Sequence, residues 1–245
     1  MNKFNCLLYG EAGAGKTPFC GTLEADEKTS PCLFLDVDHG TLSLGSVNPR
    51  PTVMTIKNWG DVQTVYSQLK AKQWESLSKT ISKQMEVDVP IKEYKSVVID
   101  SGTELANGLL KSIVADDDRN DGVPDQPAYL RTQLRFATMW RGFRDLPLSC
   151  VMTAGIKDQK DDVAGIVRFF PEFSPGLLHD LQRHSDLILF MNVALETEGA
   201  TKRWVRYIQT QPTQRFVARD RSGSLAPQIR GDKLYWKDLI AKVLI

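Results

Sequence analysis

The chain is poor in residues that cross-link or ligate, with four cysteines and three histidines among 245 residues. No two of Cys6, Cys20, Cys32 and Cys150 form a C-x-x-C pair, and Cys6, Cys32 and Cys150 fall inside apolar, strand-like runs. That pattern argues against a disulfide scaffold and suits small buried hydrophobes in a reducing compartment. His39, His179 and His184 lack metal-site spacing, and on a helix His179 and His184 would face different sides, which argues against a zinc site. Long apolar runs are missing too. The most apolar stretch, Leu187 to Leu195, is too short to span a bilayer and contains Asn192. Met1 runs straight into a strand-like segment with no basic, apolar leader before it, so the expectation is a soluble protein of the cytoplasm with no membrane partner. Excess charge of one sign is also absent, with 31 Lys and Arg against 30 Asp and Glu. The distribution is uneven, however. Residues 1–125 carry 13 basic against 18 acidic side chains, and residues 126–245 carry 18 against 12. An arginine-rich second half suits phosphate contacts, although uneven surface charge alone produces the same count.

What is present is an ordinary globular balance, 42% hydrophobic and 25% charged, in a length that suits one α/β domain over residues 1–245. Phe4–Tyr9, Cys32–Asp36, Val53–Ile56, Ser96–Asp100, Leu148–Thr153, Asp186–Asn192, Trp204–Gln209 and Arg215–Arg219 read as strands. Helical spacing links Trp59, Val62, Val65, Tyr66 and Leu69. Leu105–Val114 reads as a helix, and Ala128–Leu146 as a longer one with Leu130, Leu134, Met139 and Phe143 along one face. Lysine-rich Lys70–Glu93 is either a helical excursion or a mobile insertion, and Asp116–Pro127 and Lys157–Gly165 have the composition of exposed loops. Strands alternating with helices predict a mostly parallel central sheet flanked by helices.

The strongest motif lies near the start. Gly10, Glu11, Ala12, Gly13, Ala14, Gly15, Lys16 and Thr17 match G-x-x-x-x-G-K-[ST], directly after a strand and directly before a helix that Pro18 helps to open. Glycines let successive backbone N–H groups turn inward around phosphate oxygens, and the helix start adds positive potential. Lys16 is expected to reach the β- and γ-phosphates and the Thr17 hydroxyl to ligate Mg²⁺.

Two acidic strand ends supply partners. Val97–Asp100 is an apolar run ending in a carboxylate, which places Asp100 where it can hold the Mg²⁺ shell. Phe34–His39 carries Asp36 and Asp38, either of which can orient or deprotonate an attacking water, or simply shape a turn.

Taken in order, GEAGAGKT (10–17), FLDVDHG (34–40), SVVIDSGTEL (96–105), LSCVMTAG (148–155), FFPEFSPGLLHDL (169–181) and FVARDRSG (216–223) resemble the RecA-like ATPase core. More narrowly, the chain looks like the compact phage nucleotide-binding proteins related to RecA, some of which are single-strand annealing proteins. The resemblance covers nearly the whole chain. It implies ATP and Mg²⁺ as cofactors, ATP hydrolysis, binding to single-stranded DNA as a ring or filament of identical subunits, work beside a single-strand-binding protein, and the host cytoplasm as location. It puts Asp38 at the position of RecA's water-activating Glu, and Arg219 and Arg221 at the position of a Lys-x-Lys that reaches a neighbouring subunit's γ-phosphate. Arginine suits such a role, since it stays charged and forks onto phosphate oxygens. A salt bridge with Asp220 explains the same residues without any such role. RecA's polar Gln at the end of the fourth core strand has no match: Ala154 stands there, beside Thr153. The two DNA-facing loops would map near Asp116–Pro127 and Lys157–Arg168. The second holds Lys157, Lys160 and Arg168 next to Phe169 and Phe170, a cationic and aromatic mixture that suits single strands.

Two other readings fit the same loop: an ATPase switch or motor acting on protein partners without DNA, and a small-molecule kinase. The kinase reading lacks a recognisable lid. No Asn/Thr-Lys-x-Asp guanine-reading motif is present, which favours ATP over GTP.

Overall fold

The computed structural model describes residues 3–116, 122–161, 165–198 and 201–244. In chain order these form β1 (Asn5–Gly10), α1 (Lys16–Gly21), β2 (Cys32–Asp36), β3 (Thr52–Thr55), α2 (Trp59–Lys70), α3 (Trp74–Met85), β4 (Ser96–Asp100), α4 (Gly102–Ala115) and α5 (Gln126–Asp145). There follow β5 (Ser149–Ala154), β6 (Ile156–Asp161), β7 (Ile166–Pro171), α6 (Pro175–His184), β8 (Leu187–Glu198), β9 (Thr201–Gln209), β10 (Arg219–Asp220), β11 (Gln228–Gly231) and α7 (Trp236–Val243). Short 3₁₀ turns cover Thr22–Ala25 and Thr41–Ser46.

Among the described residues nine strands make one sheet, in the order β11-β9-β8-β1-β5-β4-β2-β3, with β10 also on β8. From β8 to β3 all neighbours are parallel. The β8–β9, β9–β11 and β8–β10 pairs are antiparallel. The strands nearest the middle are buried along their whole length, which is why they read as apolar runs rather than as an alternating pattern. Alternate residues of β1 feed two cores. Leu7 and Tyr9 face the layer built by α2 to α6, while Cys6 and Leu8 face α1 and α7. All four cysteines are buried and unpaired, and the burial of Cys6, Cys32 and Cys150 follows from the apolar runs that hold them. No helix among the described residues is long and apolar enough to cross a membrane.

Helix starts follow local chemistry. Asn58 and Asp61 form a reciprocal capping box on α2, Ser101 accepts from the Glu104 N–H on α4, and Asp125 accepts from the Ala128 N–H on α5. The lysine-rich segment is the helical alternative, α3.

Three expectations are corrected. In α5 the inward stripe is Phe136, Trp140 and Phe143 with Met139, whereas Leu130 and Leu134 are 55% and 59% exposed. Lys157–Gly165 is not a bare loop, because 157–161 form one strand of the two-stranded sheet β6–β7. Of Arg215–Arg219 only Arg219 lies in a strand, and Phe216 makes an isolated bridge to Phe169. Residues 117–121 of the first expected loop and 162–164 of the second lie outside the described residues, and the last two residues of the first, Gln126 and Pro127, already belong to α5.

Candidate nucleotide site

The sheet brings four chain segments to one edge. β1, β5, β4 and β2 are parallel neighbours in register, so their C-terminal ends at Gly10, Ala154, Asp100 and Asp36 line up. Gly10 must be glycine there, since a Cβ would run into the Met191 carbonyl oxygen of β8. The loop then turns back through Gly13 and Gly15, whose φ angles of 79° and 101° are costly for other residues. α1 begins at Lys16, one residue before the expected Thr17, with Pro18 in its first turn.

A cavity of about 650 Å³ opens at this edge. It is lined by the phosphate loop, by Lys16 and Thr17, by Asp38 and Asp100, and by Thr103, Glu104, Glu172 and Arg206. Lys16 Nζ donates to the Gly10 and Glu11 carbonyls at 2.8 and 3.0 Å, so its head group lies along the loop it serves. Burial holds the Lys16 ammonium below the usual lysine range, and the nearby Asp100, Cys20 and Asp38 oppose that shift.

Asp100 receives two hydroxyls. Thr17 Oγ1 donates to Oδ2 at 2.6 Å, and Thr153 Oγ1 donates to Oδ1. β4 is not next to β1, and Thr153 on the intervening β5 bridges that gap. Burial raises the Asp100 carboxyl above the usual carboxylate range, and the Thr153 and Thr17 hydrogen bonds pull it back. A hydroxyl and a carboxylate in contact suit Mg²⁺, which takes one or two protein oxygens and completes its shell with water and phosphate. Among the described residues no cluster of three or more His, Cys, Asp or Glu could hold a metal by itself.

Asp36, the last residue of β2, and Asp38, just beyond it, separate clearly. Asp36 is buried and accepts from the Gly40 N–H at 3.1 Å, so it shapes the turn. Burial raises its carboxyl above the usual range. Asp38 lines the cavity, and its Oδ1 accepts from Ser101 Oγ at 3.0 Å.

Arg219 and Arg221 lie elsewhere. Arg219 pairs with Ile188 at the start of β8, whereas Gly10 pairs with Met191 further along. Arg219 donates to the Gln182 carbonyl at 2.6 Å, and Arg221 to the Arg183 carbonyl at 2.9 Å and to Asp186 at 3.3 Å. Neither lines this cavity. The salt bridge foreseen with Asp220 is made with Asp186 instead; Asp220 accepts from Ser222 and Leu225. Phe169 stacks on Phe216 and Phe190 at 5.4 and 6.4 Å, which commits it to packing rather than to an exposed face.

Sequence reading missed Arg206, Glu104 and Glu172 as site residues. Arg206 is 190 positions from Lys16, and only the β8–β9 pairing brings it back. Glu172 is brought in by the β6–β7 hairpin, whose base at Gly155 and Glu172 is closed by the Glu172 N–H to Gly155 carbonyl bond at 3.1 Å.

A glycine-rich loop between strand and helix, with lysine, threonine and a sheet-edge aspartate converging on one cavity, defines a P-loop nucleotide-binding core. The AAA domain family model matches residues 2–222, and the chain belongs to that family. No curated protein matches it.

Proposed function

We propose that the protein is a RecA-like ATPase that binds single-stranded DNA as a homo-oligomer and acts in recombination by single-strand annealing, as phage proteins of this type do. The observation that carries hydrolysis is the convergence of Lys16, the Thr17–Asp100 pair and Asp38 on one cavity. Lys16 neutralises the phosphate chain, and Thr17 and Asp100 hold Mg²⁺, which supplies further charge neutralisation. Asp38, oriented by Ser101, takes a proton from water as the water oxygen bonds to the γ-phosphorus. The bond from that phosphorus to the β–γ bridging oxygen breaks, and ADP leaves with phosphate as second product.

DNA binding rests on the β6–β7 hairpin. Its base reaches the nucleotide cavity through Gly155, Ile156 and Glu172, and its exposed residues include Lys157, Lys160 and Arg168. The arm as a whole is charge-balanced, since Asp158 and other acidic residues offset its cations. Strand contact therefore falls to Lys157, Lys160 and Arg168 individually, on an arm whose base at the nucleotide site links ATP state to strand affinity. Arg219 and Arg221, absent from their own cavity, serve a neighbouring subunit. A labelled oligonucleotide titrated with protein, with and without ATP and Mg²⁺, tests the reading. Binding that strengthens with ATP supports it; no binding at low salt under any nucleotide condition sinks it.

A second reading, an ATPase that drives a protein partner, draws on the exposed Tyr129, Leu130 and Leu134 along α5. Nucleotide-dependent capture of a protein with no oligonucleotide effect on turnover would favour it.

A further inference from the structure

Beside the phosphate cavity lies a second cleft of about 400 Å³, within the range of small-molecule sites. The two share Gly15, Pro18 and Arg206. One wall is Ser46–Asn48, and the other is the strap Lys233–Tyr235.

Both the strap and Arg206 are held in place. Trp236 follows Tyr235 and is fully buried, stacked between Phe19 at 4.8 Å and Phe4 at 5.0 Å. Its backbone N–H donates to Thr22 Oγ1 at 2.9 Å. The strap is thereby fastened to the segment that follows the phosphate loop, and Tyr235 is left 37% exposed at the cleft. Arg206, on β9, donates to the Asp232 carbonyl at 2.8 Å, so strap and arginine are tied to each other. Its guanidinium lies so close to the loop that a Cβ at Gly15 would stand 2.8 Å from Nε.

We propose that the nucleoside half of the nucleotide occupies this second cleft against Tyr235, and that Arg206 is a binding residue contributed in cis, contacting the phosphate chain where it passes from one cavity to the other. The inference rests on the nucleotide reading above and names the residues that would select the ligand. The tyrosine ring offers a stacking face, Asn48 carries an amide donor and an acceptor, and Arg206 supplies a forked cation at the junction. Arg219 and Arg221 have no part in it.

The test compares ATP with inorganic tripolyphosphate, each with Mg²⁺, by calorimetric titration of the full chain. The wild-type chain is expected to bind ATP about tenfold or more tighter than tripolyphosphate, the cleft accounting for the difference. Tyr235→Ala should shrink that gap about fivefold or more and leave tripolyphosphate affinity unchanged. Arg206→Ala should weaken both ligands about tenfold, with partial recovery in Arg206→Lys. Equal wild-type affinity for the two ligands, or unchanged affinity for both in Arg206→Ala, overturns the inference while the phosphate-loop reading stands. If the wild-type chain binds neither ligand, the nucleotide reading falls and the inference with it.

Discussion

Lys16, Thr17, Asp38 and Asp100 lie within three segments that sequence reading had already singled out, and the fold places all four at one cavity. Their separate duties predict separate phenotypes. Lys16→Ala should abolish nucleotide binding in a fluorescence or calorimetric titration. Asp38→Asn should keep binding and slow turnover about 100-fold or more, the usual scale for losing a general base; unchanged turnover would remove Asp38 from the chemistry. Thr153 is a structural counterpart. Thr153→Val leaves a buried oxygen of Asp100 without its donor and should cost about 1–3 kcal/mol, seen as a lower urea midpoint at unchanged slope. The thiols make a further check. Burial pushes Cys32 up to about 12, and it raises Cys6, Cys20 and Cys150 as well. Thiol reagents near pH 8 should therefore label the native chain only as fast as it opens.

At the scale of elements, legibility followed burial and length. β2 and β4 match the expected residues, because a fully buried parallel strand is an unbroken apolar run with sharp ends. α5 was visible as a helix, but periodicity does not say which of two apolar stripes turns inward. Phe136 and Trp140 won over Leu130 and Leu134: both are fully buried in the core against α2 to α6, and the Phe136 ring lies 6.0 Å from the rings of Trp59 and Phe173. β11 and α7 escaped notice, being four and eight residues long with mixed polarity. Yet α7 closes the second core. Trp236→Ala should remove about 3–5 kcal/mol of stability, a cost measurable by thermal or urea unfolding. Within the hairpin β6–β7, the strand β6 reads as a loop because after Ile156 it is all Lys, Asp and Gln, with no β-former, whereas β7 holds Ile166, Val167, Phe169 and Phe170. If the hairpin carries DNA, Lys157→Ala with Lys160→Ala should weaken oligonucleotide binding at every sequence and flatten its salt dependence.

Across the whole molecule the ATPase machinery is split by strand order rather than by sequence order. β5 stands between the loop strand and the strand of Asp100, and Thr153 on β5 closes the distance. Arg206 needs the β8–β9 return, which no local pattern announces. Arg219 and Arg221 sit at the start of β8, away from their own phosphate loop, so any catalytic part they take is in a neighbour's cavity. Arg219→Ala with Arg221→Ala should lower turnover, and mixing that double variant with Lys16→Ala protein should restore part of it. Absence of rescue would make these arginines a fastening between α6 and β8.

The measurement that tests the central claim most directly is Mg²⁺-dependent ATP turnover with and without single-stranded DNA, on the wild-type chain and on Lys16→Ala. The account predicts wild-type turnover that rises with DNA and vanishes in the variant. Turnover that is absent from the wild-type chain, or that Lys16→Ala leaves intact, would contradict the nucleotide site, and wild-type turnover indifferent to DNA would contradict its coupling to the hairpin.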